Sequence, residues 1–226
     1  MKNFIKFDKT YDVSKLEAEL EYCLADLWVQ HFNRNDYGGQ WKCISLRSES
    51  GIAQDIRSNY GVESYQDTPL LDKIPYIKSI IDSWPCDKES VRLMALYPSS
   101  EIKPHRDQGC SYLDGTFRLH IPIITDPLVE FYLDGERLTL VAGECWYMDF
   151  SKVHHIRNKS EIVRVHLVID AVRNEKTDVI FSDYDAITEV REEQYDAQTK
   201  QRIIAELERL NTDVSRQLIR QMKENG

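Results

Sequence analysis

Short runs in which apolar and polar residues alternate fill the middle of this chain. The segments "VRLMALYP" (91–98), "FRLHIPII" (117–124), "LVEFYLDGERLTLV" (128–141), "ECWYMDF" (144–150) and "EIVRVHLVIDAV" (161–172) are rich in Val, Ile, Leu, Phe and Tyr. Gly, Pro, Asp or Asn bound them, which is the composition and punctuation of β-strands. Asp134-Gly135 predicts a hairpin, because a type I′ turn needs positive φ at both central residues. "WKCISLRS" (41–48) reads as a further strand, and "SSEIKP" (99–104) as a loop that delivers His105. A helix is expected over residues 14–31, capped by Ser14, with Leu16, Leu20, Cys23, Leu24, Leu27 and Trp28 at helical spacing. A second helix is expected over 73–84. At the C-terminus Ile203, Leu207, Leu210, Val214, Leu218 and Met222 form a stripe that predicts an amphipathic helix over 198–223, interrupted near 211–213. Its apolar face needs a cover: the barrel, a second copy of the chain in a homodimer, or the active site as a lid. The fold class is therefore mainly β with flanking helices, a double-stranded β-helix of the jelly-roll or cupin-like kind, with a C-terminal helical extension.

Within this frame the polar residues carry the chemistry. His105, Asp107 and, 47 positions later, His154 supply two imidazoles and a carboxylate, the donor set that caps one face of a non-haem Fe(II) and leaves the other open. Alternate residues of an extended segment share a side, so His105 and Asp107 can bind one ion together, and His154 must come from a neighbouring strand. A lone His-x-Asp is ordinarily surface or turn chemistry; the surrounding strands are what give it weight. His155 follows His154 directly and should face the opposite way. Arg-x-His recurs as Arg118 with His120 and as Arg164 with His166, each pair opposite an apolar face. An isolated strand arginine is usually solvated, yet a barrel that binds a dicarboxylate needs polar inward positions, and a guanidinium matches a carboxylate with two hydrogen bonds. Arg164 can face the pocket of His154, holding the far end of a 2-oxoacid chelated to iron. His166 reads as a pocket or core histidine. Asp149 and Asn158 are expected to tie down the turn around His154.

These motifs, in this order, resemble the aspartyl/asparaginyl β-hydroxylase family, which also holds bacterial proline hydroxylases. Pro104-His105, Arg118-Leu119-His120, Asp149 through His154 to Asn158, and Arg164 through Asp170 reproduce its signature, and the likeness runs over about residues 91–174 with a weaker echo at 38–48. The resemblance implies Fe(II) bound by His105, Asp107 and His154, 2-oxoglutarate as co-substrate held by Arg164, O2 as oxidant, and Arg118 and His120 near co-substrate or substrate. It implies hydroxylation of an unactivated carbon with release of succinate and CO2. Vertebrate protein-modifying members lack a carboxylate at the position of Asp107, so its presence resembles the small-molecule hydroxylases. A free amino acid or amino-acid derivative is the expected substrate, with Arg106, Arg118 and Arg47 as candidate contacts to its carboxylate. Arg47 reads equally well as a surface arginine. An Asp or Asn residue in a peptide or protein is the alternative, and a cupin-like metal protein without oxygenase chemistry the rival of a different class. Met94 stands where vertebrate members carry a serine that assists 2-oxoglutarate binding.

Composition narrows the partners. At 226 residues the chain can build one sizeable core, expected over 1–174, with 175–226 as an acidic and helical extension. The net charge of −9, with seven acids against Arg191 alone between residues 178 and 196, disfavours nucleic acid and anionic membrane, whose phosphates need Lys and Arg. No run approaches the roughly 18 apolar residues of a membrane span, and "MKNFIKFDKTYDV" lacks the apolar core of a signal peptide. A cytoplasmic location is expected. Cys23, Cys43, Cys86, Cys110 and Cys145 are odd in number and widely spaced, which argues against a disulfide framework; Cys110 stands out for its closeness to the His105–Asp107 segment.

Overall fold

The computed structural model describes residues 2–23, 25–59, 64–184, 197–210 and 219. In chain order the elements are β1 (Phe4–Thr10), α1 (Val13–Leu20), β2 (Val29–Gln30), β3 (Tyr37–Gly38), β4 (Trp41–Ser48), β5 (Gln66–Asp67), α2 (Pro75–Asp82), β6 (Lys88–Leu96), β7 (Glu101–His105), β8 (Thr116–Ile124), β9 (Val129–Leu133), β10 (Glu136–Leu138), β11 (Glu144–Met148), β12 (His154–Asn158), β13 (Arg164–Val172), α3 (Glu175–Ser182) and α4 (Ala197–Leu210). Among the described residues these strands form two antiparallel sheets. The larger runs β1-β11-β8-β13-β6-β4-β2, with β5 against β4; the smaller runs β10-β9-β12-β7-β3. This is a double-stranded β-helix with α1, α2 and α3 packed on one face of the larger sheet.

Strict alternation divides each central strand between two cores. On β8, Phe117, Leu119, Ile121 and Ile123 face the helices, joined there by Ile44 and Leu46 of β4, Val91 and Leu93 of β6, and Leu167 and Ile169 of β13. The inward face supplies Trp41, Cys43, Met94, Leu96 and Val168, which meet Phe131, Leu133 and Ile156 of the small sheet and Phe150. Arg92, Arg118, His120, Arg164, His166 and Asp170 occupy inward positions of the same strands and are all 9% exposed or less. A one-residue slip would exchange these charges for the helix-side core, so burial fixes the register.

Several sequence expectations need correction. The first helix is shorter than 14–31: α1 ends at Leu20 and is capped by Asp12, whose side chain accepts from the Lys15 amide, rather than by Ser14. The chain then pairs Val29 and Gln30 with Cys43 and Lys42 of β4, because Val29 gains a ladder partner there that a solvated helix end could not offer. The loop expected at 99–104 is largely strand β7, paired with β12. Strand β1 was not anticipated, although Ile5 and Phe7 are buried on either side of Lys6. The expected helix at 73–84 is α2 over 75–82 with Pro75 in its first turn, where the missing N–H costs nothing. Asp134 and Gly135 take φ of 50° and 82° between β9 and β10, as the hairpin requires.

The compact unit spans Met1–Glu189. Helix α3, beyond residue 174, buries Phe181 against Phe7, Tyr112, Phe117 and Tyr147. Its capping box joins Asn174 and Thr177. The second unit, Val190–Gly226, is described over α4 and at residue 219; the rest of the stretch expected to form an amphipathic helix, including 211–213, lies outside the described residues. Among the described residues no helix is long and apolar enough to cross a membrane.

Candidate metal centre and its pocket

His105 ends β7 and His154 begins β12, and the two are direct cross-strand partners with ring centroids 4.2 Å apart. Asp107 follows two residues after His105, fixed by its own amide, which donates to the Phe150 carbonyl at 2.9 Å. One ligand atom from each of the three lies within 4.8 Å of the others. Hydrogen bonds decide which atoms those are. His105 Nδ1 lies 2.7 Å from the Lys103 carbonyl and His154 Nδ1 3.1 Å from the Lys152 carbonyl. A carbonyl only accepts, so both rings carry a proton on Nδ1, which leaves Nε2 as the nitrogen that can face a metal. Burial pulls the His154 imidazole down to about 4, with the Asp107 charge opposing, so near neutral pH it is a neutral ligand. Burial works against the Asp107 charge, but Arg118, His154 and His105 outweigh it and hold the carboxyl below its usual range. Two imidazoles and a carboxylate are a donor set that fits a divalent transition metal.

The three residues line a half-open cavity of about 310 Å³ together with His31, Trp41, Arg92, Arg106, Arg118, His120, Phe150 and Arg164. Arg164 is 1% exposed. Among the described residues no carboxylate pairs with it, and its Nε has no hydrogen-bond partner. Burial draws its guanidinium down to about 9, which leaves it charged near neutrality. A buried, unmatched guanidinium is costly, and an anion bound at this end of the cavity would match it.

Arg118 does something else. Its NH1 donates to Asp107 Oδ2 at 2.5 Å and its Nε to Asp170 Oδ1 at 2.5 Å. Asp170 also accepts from Arg92 NH2 at 2.7 Å, so Arg92, Asp170 and Arg118 form a buried charge chain that ends on the half-buried Asp107. Both Arg92 and Asp170 escaped sequence reading as site residues. Arg92 sits among apolar residues in "VRLMALYP", and only strand pairing aligns it with Asp170. His31 was also missed: it lies one residue past β2, opposite Trp41, and stacks on that indole at 3.7 Å with an interplanar angle of 14°. Nothing in the sequence around His31 marks it.

The remaining candidates divide. His120 and Arg106 line the cavity, whereas His166 lies behind Arg164 and lines a separate cavity. Arg47 is not at the site: its NH1 pairs with Asp67 at 2.7 Å and its Nε donates to the Lys88 carbonyl, because the register of β4 sets it opposite Asp67. His155 faces away and stacks on Tyr132. Asp149 caps the turn before His154 through the Ser151 amide and hydroxyl. Asn158 instead braces the opposite end of β12, donating to the carbonyls of Leu96 and Ile162. Cys110 is fully buried.

The sequence profile described as aspartyl/asparaginyl beta-hydroxylase matches residues 11–174. The chain belongs to the aspartyl/asparaginyl β-hydroxylase family. Curated relatives include an L-proline cis-3-hydroxylase of Streptomyces sp, 27% identical over 70% of this chain and 56% of that protein. An L-proline cis-4-hydroxylase of Rhizobium meliloti is 29% identical over 74% of this chain and 58% of its own. This family member thus spans a little over half the length of those relatives. Among solved structures, a 2OG-Fe(II) oxygenase family oxidoreductase from Burkholderia pseudomallei aligns with a TM-score of 0.54 at 13% identity, covering 76% of this chain and 86% of that one. A non-heme alpha ketoglutarate dependent carbocyclase from nogalamycin biosynthesis aligns with a TM-score of 0.53 at 12% identity, over 76% and 79% of the two chains. At such identities these structures establish the shared fold.

Proposed function

We propose that this chain is a Fe(II)- and 2-oxoglutarate-dependent dioxygenase that hydroxylates an unactivated carbon of a free amino acid or small amino-acid derivative. The observation that carries the proposal is the meeting, in one cavity, of the His105, Asp107 and His154 donors with the anion-deficient Arg164. Bound Fe(II), with 2-oxoglutarate and O2, would supply the oxidising chemistry and leave succinate and CO2 as co-products. The protein's part is geometric and electrostatic. His105 and His154 offer Nε2, and Asp107 offers the oxygen that Arg118 leaves open. Arg164 takes the distal carboxylate of the co-substrate, and Phe150 and Trp41 keep the walls dry.

For the substrate, Arg106 and Arg92 lie on the cavity wall as cations for a carboxylate, and Asp36 lies there as an acceptor for an amine. The relatives named as proline hydroxylases favour the free amino acid. A peptide substrate is the second reading, favoured by Phe32, which is 54% exposed at the same cavity and would suit a longer chain leaving the mouth. The cupin-like rival without 2-oxoglutarate chemistry gives no role to Arg164. Five free cysteines fit a reducing compartment, and we place the enzyme in the cytoplasm.

The test is an anaerobic titration of the protein with Fe(II) and then 2-oxoglutarate, followed by absorption and calorimetry. Ordered binding, metal before co-substrate, with no uptake of either by Asp107→Ala, is the expected result. Co-substrate binding that ignores the metal would refute the assignment.

A further inference from the structure

A second cavity, of about 220 Å³, lies behind Arg164, lined by Phe131, Leu138, Leu140, Val141, Ala142 and the ring of His166 among others. His166 is 1% exposed, and its place between the two cavities fixes its protonation. Arg164 NH2 approaches His166 Nδ1 at 2.7 Å. A guanidinium can only donate, so Nδ1 is an acceptor and the single proton of the neutral ring sits on Nε2. His120 Nδ1, 3.2 Å from that same nitrogen, must then be a donor. His166 Nε2–H is left without a partner among the described residues, on the ring edge turned away from Arg164. Burial favours the neutral form of both rings.

An unanswered N–H in a mostly apolar cavity specifies its ligand. Among the described residues no cation lines the site, and the one charged lining residue is Asp126, whose carboxylate already accepts from the Leu128 amide. An anion is therefore disfavoured, and a cation would meet a donor rather than an acceptor at His166. We infer that this back cavity is a second binding site, for a small neutral and largely apolar molecule carrying one hydrogen-bond acceptor, such as a ketone, ester or amide, held by His166 Nε2–H. The same ring grips Arg164, so an acceptor on Nε2 increases the basicity of Nδ1 and tightens its hold on that guanidinium. Occupancy of the back cavity is thereby linked to the anion end of the main one.

The experiment uses the whole 226-residue chain without metal or 2-oxoglutarate, so its outcome is independent of the function proposed above. Nitrogen-15 NMR of the histidines is recorded during titration with cyclohexanone and, separately, with methylenecyclohexane, which has nearly the same shape but no acceptor. The inference predicts a proton on His166 Nε2 in the free protein, a saturable shift of that N–H with the ketone, and at least fivefold weaker binding of the alkene. Ala142→Leu, which fills the cavity from its rim, should abolish both. A proton on Nδ1, equal binding of the two probes, or no saturable shift would overturn the inference. The comparison of probes in the unaltered protein stands whether or not the variant folds.

Discussion

Arg118 NH1 donates to Asp107 Oδ2 at 2.5 Å, so the carboxylate of the candidate metal triad is oriented by a guanidinium that is itself anchored on Asp170. Hydrogen bonds to metal-binding carboxylates commonly carry ten- to a hundredfold of metal affinity. Arg118→Met should therefore weaken Fe(II) binding by about that factor, measured by competition with a chromophoric chelator. Unchanged affinity would show that Asp107 is positioned without Arg118.

Asp170 is the hub of the charge chain, and its loss should be felt as instability. Asp170→Asn would leave Arg92 and Arg118 buried around a neutral group, at a cost of about 3–5 kcal/mol, read from urea unfolding. A cost below about 1 kcal/mol would mean that water solvates the two arginines.

The same residue gives a pH dependence. Burial opposes its charge, yet Arg118, Arg92 and hydrogen bonds outweigh it, and the folded value lies below the ordinary 3.8. A lowered folded value means that the stabilisation is complete well above pH 3.8 and is lost as pH falls through the folded value. Unfolding free energy should thus decline below the ordinary carboxylate range, and more steeply in the native protein than in Asp170→Asn. Parallel declines would remove Asp170 from the account.

Arg164→Met keeps the bulk of the side chain and removes its charge. Losing a charge-assisted carboxylate pair costs about 1.5–3 kcal/mol, so 2-oxoglutarate affinity should fall by about ten- to a hundredfold with Fe(II) binding unchanged. Calorimetry on the metal-loaded variant checks both halves, and a weakened metal with intact co-substrate binding would reverse the assigned roles.

Gly143 joins β10 to β11 at φ +82°, and an added Cβ would lie 2.6 Å from the Tyr11 carbonyl oxygen. The Tyr11 amide also donates to the Gly143 carbonyl, so neither strand can retreat freely. Gly143→Ala should cost about 1–3 kcal/mol in thermal or urea unfolding while leaving the cavity residues in place. Full stability would imply that β1 shifts without penalty.

The strands and the candidate metal donors are legible in the sequence because both depend on local period. Alternation alone puts His105 with Asp107, Arg118 with His120 and Arg164 with His166 on shared sides, and the motif order reveals the family. What stays hidden depends on pairing between distant segments. Arg92 becomes a site residue only when β6 lies beside β13, and His31 only when a short β2 meets Trp41. Arg47 misled for the same reason, since its partner Asp67 belongs to a two-residue strand with no apolar pattern. The helix expected at 14–31 failed where apolar spacing continued past the end of α1 into residues that pair with β4.

The most direct test of the central claim is turnover. Protein purified anaerobically, loaded with Fe(II) and 2-oxoglutarate and then exposed to air should form succinate above its uncoupled background with at least one member of a panel of free L-amino acids. Mass spectrometry should find that amino acid one oxygen atom heavier. No stimulation by any amino acid or its peptide derivatives, together with no 2-oxoglutarate binding to the metal-loaded protein, would contradict the account.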